Sequence, residues 1–255
     1  MGKKRFQRLG VYDASFGKRS MSAVAEEYAR LGKFREDWDP GTQRTSDIAV
    51  AFNAVVFAHL EFKPEIPTER ILKKGVELFV DFMTGNWWVD APGYEKGPFS
   101  RHWIDGYVRG ATLCLLANET GRLAMCSKRL EGMHRHGSPQ FPLEICDCYL
   151  VVALFVSGRK AKAKPICRRI KQGRNVTAKR FLECYESIEQ GDEKLFQKSL
   201  LILLKRYAKT RKASEGDCFD VHSSVLAMLA KENSLNLPEL TEELADLLMC
   251  RQSVS

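Results

Sequence analysis

The chain has 255 residues, 44% of them hydrophobic, and a formal net charge of +8. That is enough apolar material for a packed core. The longest uninterrupted apolar run, Tyr149 to Val156, falls well short of the roughly 20 residues of a transmembrane helix, so no membrane partner is expected; the positive balance points to acidic partners instead, nucleic acid or protein.

Residues 1–20 are basic, contain glycine and lack clear periodicity, which predicts a loosely ordered arm ahead of one all-helical domain over residues 21–255. The start, MGKKRFQRLG, has no apolar stretch behind it, and Phe6 occupies the position where a myristoylation signal needs Ser or Thr. The eight cysteines (114, 126, 146, 148, 167, 184, 218 and 250) lie mostly in apolar stretches, where a free thiol packs as a small hydrophobe. Reduced thiols and no targeting segment predict a cytoplasmic chain.

Met21 to Leu31 is a short helix candidate, with Gly32 placed to end it. FREDWDPGTQ reads as a charged turn around Pro40-Gly41. Thr45 to Phe62 carries Ile48, Phe52, Val55, Val56 and His59 at helical steps. Beyond Pro64 and Pro67 the next helix runs from Thr68 to Met83, and Gly85 stops it. The segment NWWVDAPGYEKGP is a loop. Helical pattern resumes over Phe99 to Leu116 and over Thr120 to Met133. After a Ser138-Pro139 cap signal, an apolar helix ends at Val156 and must be buried nearly all round.

A basic helix then spans about Lys160 to Lys171. Next come NVTAKRFLECYESIEQ, the pair Gly191-Asp192, and EKLFQKSLLILLKRYAKTR. Phe181, Leu182, Tyr185 and Ile188 stripe the first of these helices; Phe196, Leu200, Leu203, Leu204 and Tyr207 stripe the second. Gly191 suits the left-handed residue that ends a helix, and Asp192 suits the cap that opens the next. Two helices close the chain, about Phe219 to Lys231 and Pro238 to Met249. No alternating pair of strands joined by a hairpin turn is present. The prediction is an all-α fold, an irregular stack of antiparallel helical hairpins like an α-solenoid. The spacing is too uneven for a tetratricopeptide array, which repeats every 34 residues or so.

Three groups of residues could carry chemistry. His134, His136, Cys146 and Cys148 form H-x-H and C-x-C pairs, but residues two apart on a helix point about 200° away from each other, so no metal and no cofactor are expected. Trp87, Trp88, Tyr94, Arg101, His102, Asp105 and Arg109 gather aromatics and charges around a long loop. They suit a protein-contact surface or a small-molecule pocket; the alternative is that Trp103 and Tyr107 are core, with the loop folded over them. His102 and Asp105, three apart on one helix face, could act as a base with an orienting carboxylate or be a plain surface pair.

The third group is the basic face Arg159, Lys160, Lys164, Arg168, Arg169 and Lys171. From Arg159 to Arg174 there are eight Lys or Arg and no acid, equal to the whole excess charge of the chain. Such a face binds phosphate or an acidic protein, or is simply solvated. It lacks aromatics for base stacking. His222, with mostly apolar neighbours in FDVHSSVLAML, reads as a satisfied core histidine. No G-x-S-x-G, H-E-x-x-H or G-x-G-x-x-G is present.

The C-terminal third carries Leu182, then Gly191-Asp192, Phe196, Leu200, Leu203 and Leu204. Leu226-Ala227 and Leu229-Ala230 follow, ahead of LNLPEL. Over about residues 175–250 this pattern resembles the bacterial polymorphic-toxin immunity proteins of family forty-nine. The resemblance implies an all-helical cytosolic protein that binds and neutralises a cognate toxin without catalysis. The expected function is therefore non-catalytic protein binding. The alternatives are a small-molecule-binding protein or enzyme using residues 85–109, and a nucleic-acid-associated protein using residues 159–174.

Overall fold

The computed structural model describes residues 26, 29–31, 40–59, 68–85, 101–134, 143–210 and 219–249, the side chains at 40–42, 57, 59, 101–103, 131–134 and 143 excepted. The described residues form helices and no strand. In chain order these are α1 (Pro40–His59), α2 (Thr68–Thr84), α3 (Arg101–Leu116), α4 (Thr120–His134), α5 (Leu143–Val156), a 3-10 turn (Lys160–Ala163), α6 (Lys164–Gln172), α7 (Val176–Gln190), α8 (Glu193–Thr210), α9 (Val221–Glu232) and the short α10 (Glu242–Ala245). The all-α hairpin stack is therefore the fold. Successive helices pack as neighbours in the pairs α1–α2, α3–α4, α4–α5 and α7–α8, while α3 also packs on α1, α2 and α9. No described helix is long and apolar enough to cross a membrane.

The hairpin of α7 and α8 forms as its sequence predicts. The Asn175 side chain caps α7 by accepting from the amide of Ala178 at 3.0 Å. Gly191 ends it at φ +69°, and its amide and that of Asp192 return to the carbonyls of Ile188 and Ser187. Asp192 Oδ1 then accepts from the Leu195 amide at 3.0 Å and opens α8. Both predicted apolar stripes point inward: Phe181, Leu182, Tyr185, Ile188, Phe196, Leu200, Leu203 and Leu204 are buried, and Tyr207 at the end of the second is half-buried. The predicted burial of α5 also holds, since every residue from Cys148 to Phe155 is buried.

Three boundaries differ from expectation. The Pro40-Gly41 turn is the start of α1: proline tolerates a first-turn position because the amide it lacks has no helical partner there. The basic helix is two pieces, a 3-10 turn and then α6 with Pro165 in its first turn. The missing Pro165 amide cannot bond to the preceding turn, so α-helix begins afresh at Lys164. Of the predicted closing helix Pro238–Met249 only Glu242–Ala245 is helical. The remainder is irregular, with Ser224 Oγ accepting from the Met249 amide at 2.9 Å, and the chain just ahead of it is held at Asn236, whose amide donates to Glu193 Oε2 at 2.9 Å and whose carbonyl accepts from Gln197 Nε2 at 3.3 Å.

A chain of rings crosses the core from α2 to α9. Phe79 meets Tyr107 edge-on at 5.8 Å, Tyr107 meets Tyr149 at 6.5 Å, and Tyr149 lies 5.6 Å from Phe181 and 5.5 Å from the His222 imidazole. Tilted and edge contacts of this kind add about 0.5–1.5 kcal/mol each beyond their buried area. Glycine lets the helices come close enough. A Cβ on Gly110 would lie 2.0 Å from Phe79 Cδ2, so α3 can press against α2 only where that atom is absent.

Candidate functional site

The aromatic group divides. Trp87, Trp88 and Tyr94 lie outside the described residues. Arg101 and His102 fall in the first turn of α3, with their side chains outside the described set. Asp105 and Arg109 are half-buried on the same helix. Tyr107 is fully buried, and its hydroxyl is 2.7 Å from Ser127 Oγ of α4. Burial pushes its ionisation well above the ordinary tyrosine range, with the Ser127 hydrogen bond working against that shift. Tyr107 is thus a core residue joining α3 to α4.

The basic face is better resolved, and its members behave differently. Ala163, Ile166 and Ile170 are buried and anchor the segment. Arg169 forks onto Asp147 of α5, with Nε at 2.9 Å and a terminal nitrogen at 2.7 Å from the two carboxylate oxygens. The Asp147 side chain is only 4% exposed. Lys171 Nζ is 2.7 Å from Glu186 Oε1 of α7. Lys160 Nζ lies 4.4 Å above the Phe155 ring, a cation–π contact, and Arg159 Nε donates to Ser157 Oγ at 3.3 Å. Lys164 and Arg168, one turn apart, are exposed and have no ion-pair partner among the described residues. Of the six predicted cations, then, two are tied to carboxylates, two fold back on the end of α5, and two point outward. Glu186 and Glu189 of α7 border the face beside Cys167, whose thiol burial and these carboxylates push up to about 11.

The cysteine pair considered for metal lies on α5, one helical residue between its members. Cys148 is buried with Sγ 3.6 Å from the Ala178 carbonyl, and Cys146 is only partly buried. Among the described residues no three His, Cys, Asp or Glu side chains are grouped to hold a metal ion. Burial, the largest cause, raises the thiols of Cys114, Cys126, Cys146, Cys148 and Cys184 as well, Cys126 to about 12 and Cys146 to about 11. Thiols held protonated at neutral pH are poor nucleophiles.

The most connected polar group lies in the C-terminal half. Asp220 caps α9, its carboxylate accepting from the amides of His222 at 3.1 Å and Ser223 at 3.2 Å and from the Ser223 hydroxyl. The Asp220 amide in turn donates to the Leu247 carbonyl at 2.9 Å, tying the cap to the C-terminal segment. His222 Nδ1 is 2.6 Å from Tyr149 Oη. Burial holds the imidazole neutral, its pKa lowered from 6.5 although Asp220 opposes this; the phenol and Nδ1 share this hydrogen bond, its direction set by the imidazole tautomer. Burial also drives Tyr149 well above its usual range, with nearby Asp220 adding to the shift. Asp220 itself is raised by burial, against the pull of His222 and its hydrogen bonds.

Histidine, carboxylate and phenol here look like parts of a proton relay, but the geometry assigns them to the fold. The Asp220 carboxylate receives backbone amides and Ser223 and does not receive the imidazole, so it does not orient His222 as the carboxylate of a triad would. The Tyr149 phenol and the His222 imidazole satisfy each other across α5 and α9. An Asp directly before an apolar helical run is a cap signal that marks Asp220 in the sequence; the Tyr149 partner, 73 residues from His222, has no local signal. Compared with known proteins, the chain matches no protein-family model, no curated protein and no solved structure.

Proposed function

We propose that the chain is a non-catalytic binding protein that holds an acidic protein partner on the face formed by the 3-10 turn and α6. One observation carries the reading. The face is anchored through Ala163, Ile166 and Ile170 while Lys164 and Arg168 are exposed, and the carboxylates of Glu186 and Glu189 border it. A track for a phosphate backbone is better served by an unbroken run of cations with stacking aromatics; cations edged by carboxylates suit a protein surface of mixed charge. The engagement of Asp220, His222 and Tyr149 in holding helices together supports a non-catalytic role. The resemblance of residues 175–250 to toxin immunity proteins makes a cognate toxin the proposed partner.

A pull-down with the immobilised full chain tests this, using the product of the adjacent gene as prey. Retention by the wild type and at least tenfold weaker retention by Lys164→Glu/Arg168→Glu is the expected result. Recovery of nucleic acid alone, with steep salt dependence, would overturn the reading.

A further inference from the structure

A second cationic surface lies on α8, and the sequence marks it by spacing. Lys194, Lys198, Lys205 and Lys209 step by four, seven and four residues, which places them on one line along the helix. All four are exposed, directly opposite the buried stripe of Phe196, Ser199, Leu200, Leu203 and Leu204. From first to last the line is about 22 Å long at the α-helical rise. None of the four has an ion-pair partner among the described residues. The sole carboxylate of α8, Glu193, is engaged with the amide and side chain of Asn236 at 2.9 and 3.0 Å. Like charges one turn apart weaken a helix, and here Lys194–Lys198 and Lys205–Lys209 have no carboxylate paired to them among the described residues. Apolar side chains flank the line: Leu195 is 40% exposed, and Leu201 and Ile202 are half-buried.

We propose that this face of α8 docks an acidic amphipathic helix of a protein partner. Its carboxylates would repeat at the four- and seven-residue steps of the lysines, and its apolar residues would cover Leu195, Leu201 and Ile202. The apolar flanks decide for protein over polyphosphate, because a phosphate backbone offers them nothing to bury. The buried stripe beneath fixes the helix, so the lysine Cα atoms stand in line before the partner arrives, and only the side chains have to be ordered on binding. The proposal shares with the preceding one only the premise of a protein partner; the surfaces belong to different helices, both packed on α7.

The probe is a fluorescent acidic peptide of about five helical turns, with Glu at the mirrored spacing and Leu between, titrated into the full chain and read by anisotropy. A peptide of the same composition in scrambled order and a single-stranded oligonucleotide of equal charge are the controls. The patterned peptide is expected to bind at least tenfold tighter than the scrambled one. Lys198→Glu/Lys205→Glu is expected to abolish that difference, Lys198→Arg/Lys205→Arg to keep it, and Lys164→Glu/Arg168→Glu on α6 to leave it unchanged. If the reversed variant misfolds, Lys198→Ala/Lys205→Ala with unaltered circular dichroism takes its place. Equal binding of the scrambled peptide, tighter binding of the oligonucleotide, or loss of the difference only in the α6 variant would each overturn the proposal. The last result leaves the α6 reading standing.

Discussion

His222 illustrates how one side chain can mislead a reader of composition. A histidine two residues from an aspartate suggests acid–base chemistry, yet its apolar neighbours predict a core residue; it is half-buried, and Tyr149 satisfies it. Tyr149→Phe removes the hydrogen-bond partner of a half-buried imidazole nitrogen and should cost about 1–2 kcal/mol of unfolding free energy in a denaturant titration. The pH dependence has a definite sign. The folded-state pKa of His222 lies below its ordinary 6.5, so the unfolded chain binds the extra proton first. The contribution is present above the unfolded value and is lost as pH falls through and below it. Asp220, raised from 3.8, acts with the opposite sign, favouring the folded state at the acid end. Replacing His222 by Gln should therefore flatten the loss of stability on acidification below about pH 6.5. An unchanged slope in that variant would place the titrating group elsewhere.

Between elements, close approach and pairing across helices decide the energetics. Gly110→Ala would drive its new methyl into the Phe79 ring, which is fully buried and cannot retreat. The expected loss is about 1–3 kcal/mol, the usual cost of overpacking, with a lowered Tm by calorimetry. A neutral result there would mean that α3 and α2 sit further apart. Asp147 and Arg169 bind α6 to α5 with a buried carboxylate and a cation whose side chain is 56% exposed. Solvent reaches the cation, so Arg169→Ala should cost about 1–2 kcal/mol, less than breaking a fully buried pair. Arg169→Lys should recover part of that, lacking the fork. The apolar stripes of α7 and α8 and the continuous apolar run of α5 were legible because helical patterning is local. The partners of Arg169 and Lys171 were not: Asp147 lies on another helix 22 residues away, and only packing sets which carboxylate faces which cation.

For the molecule as a whole, the net charge of +8 is not spread evenly over the surface. The face of α6 is partly neutralised by α5 and α7, whereas the lysine line on α8 has no ion-pair partner among the described residues. Association with an acidic partner should therefore slow steeply with salt, about tenfold or more between low ionic strength and half-molar salt in stopped-flow mixing. A salt-independent rate would argue that the apolar flanks, and not the charges, guide the encounter. The ring chain from Phe79 through Tyr107 and Tyr149 to Phe181 and His222 joins helices from both halves of the sequence. A large-to-small change at Tyr149 should be felt at both of its ends.

The sequence by itself determined the all-α class, the burial of α5, the cap at Asp192 and the left-handed end at Gly191. Each of these depends on residues within a turn or two of one another, where spacing and backbone preference suffice. Tertiary structure alone decided that the C-terminal segment is mostly irregular and that Tyr149 rather than solvent holds His222. It also decided which cations of the basic face remain outward. Those outcomes depend on which distant groups meet and on what burial does to their charge, and local periodicity carries no record of either.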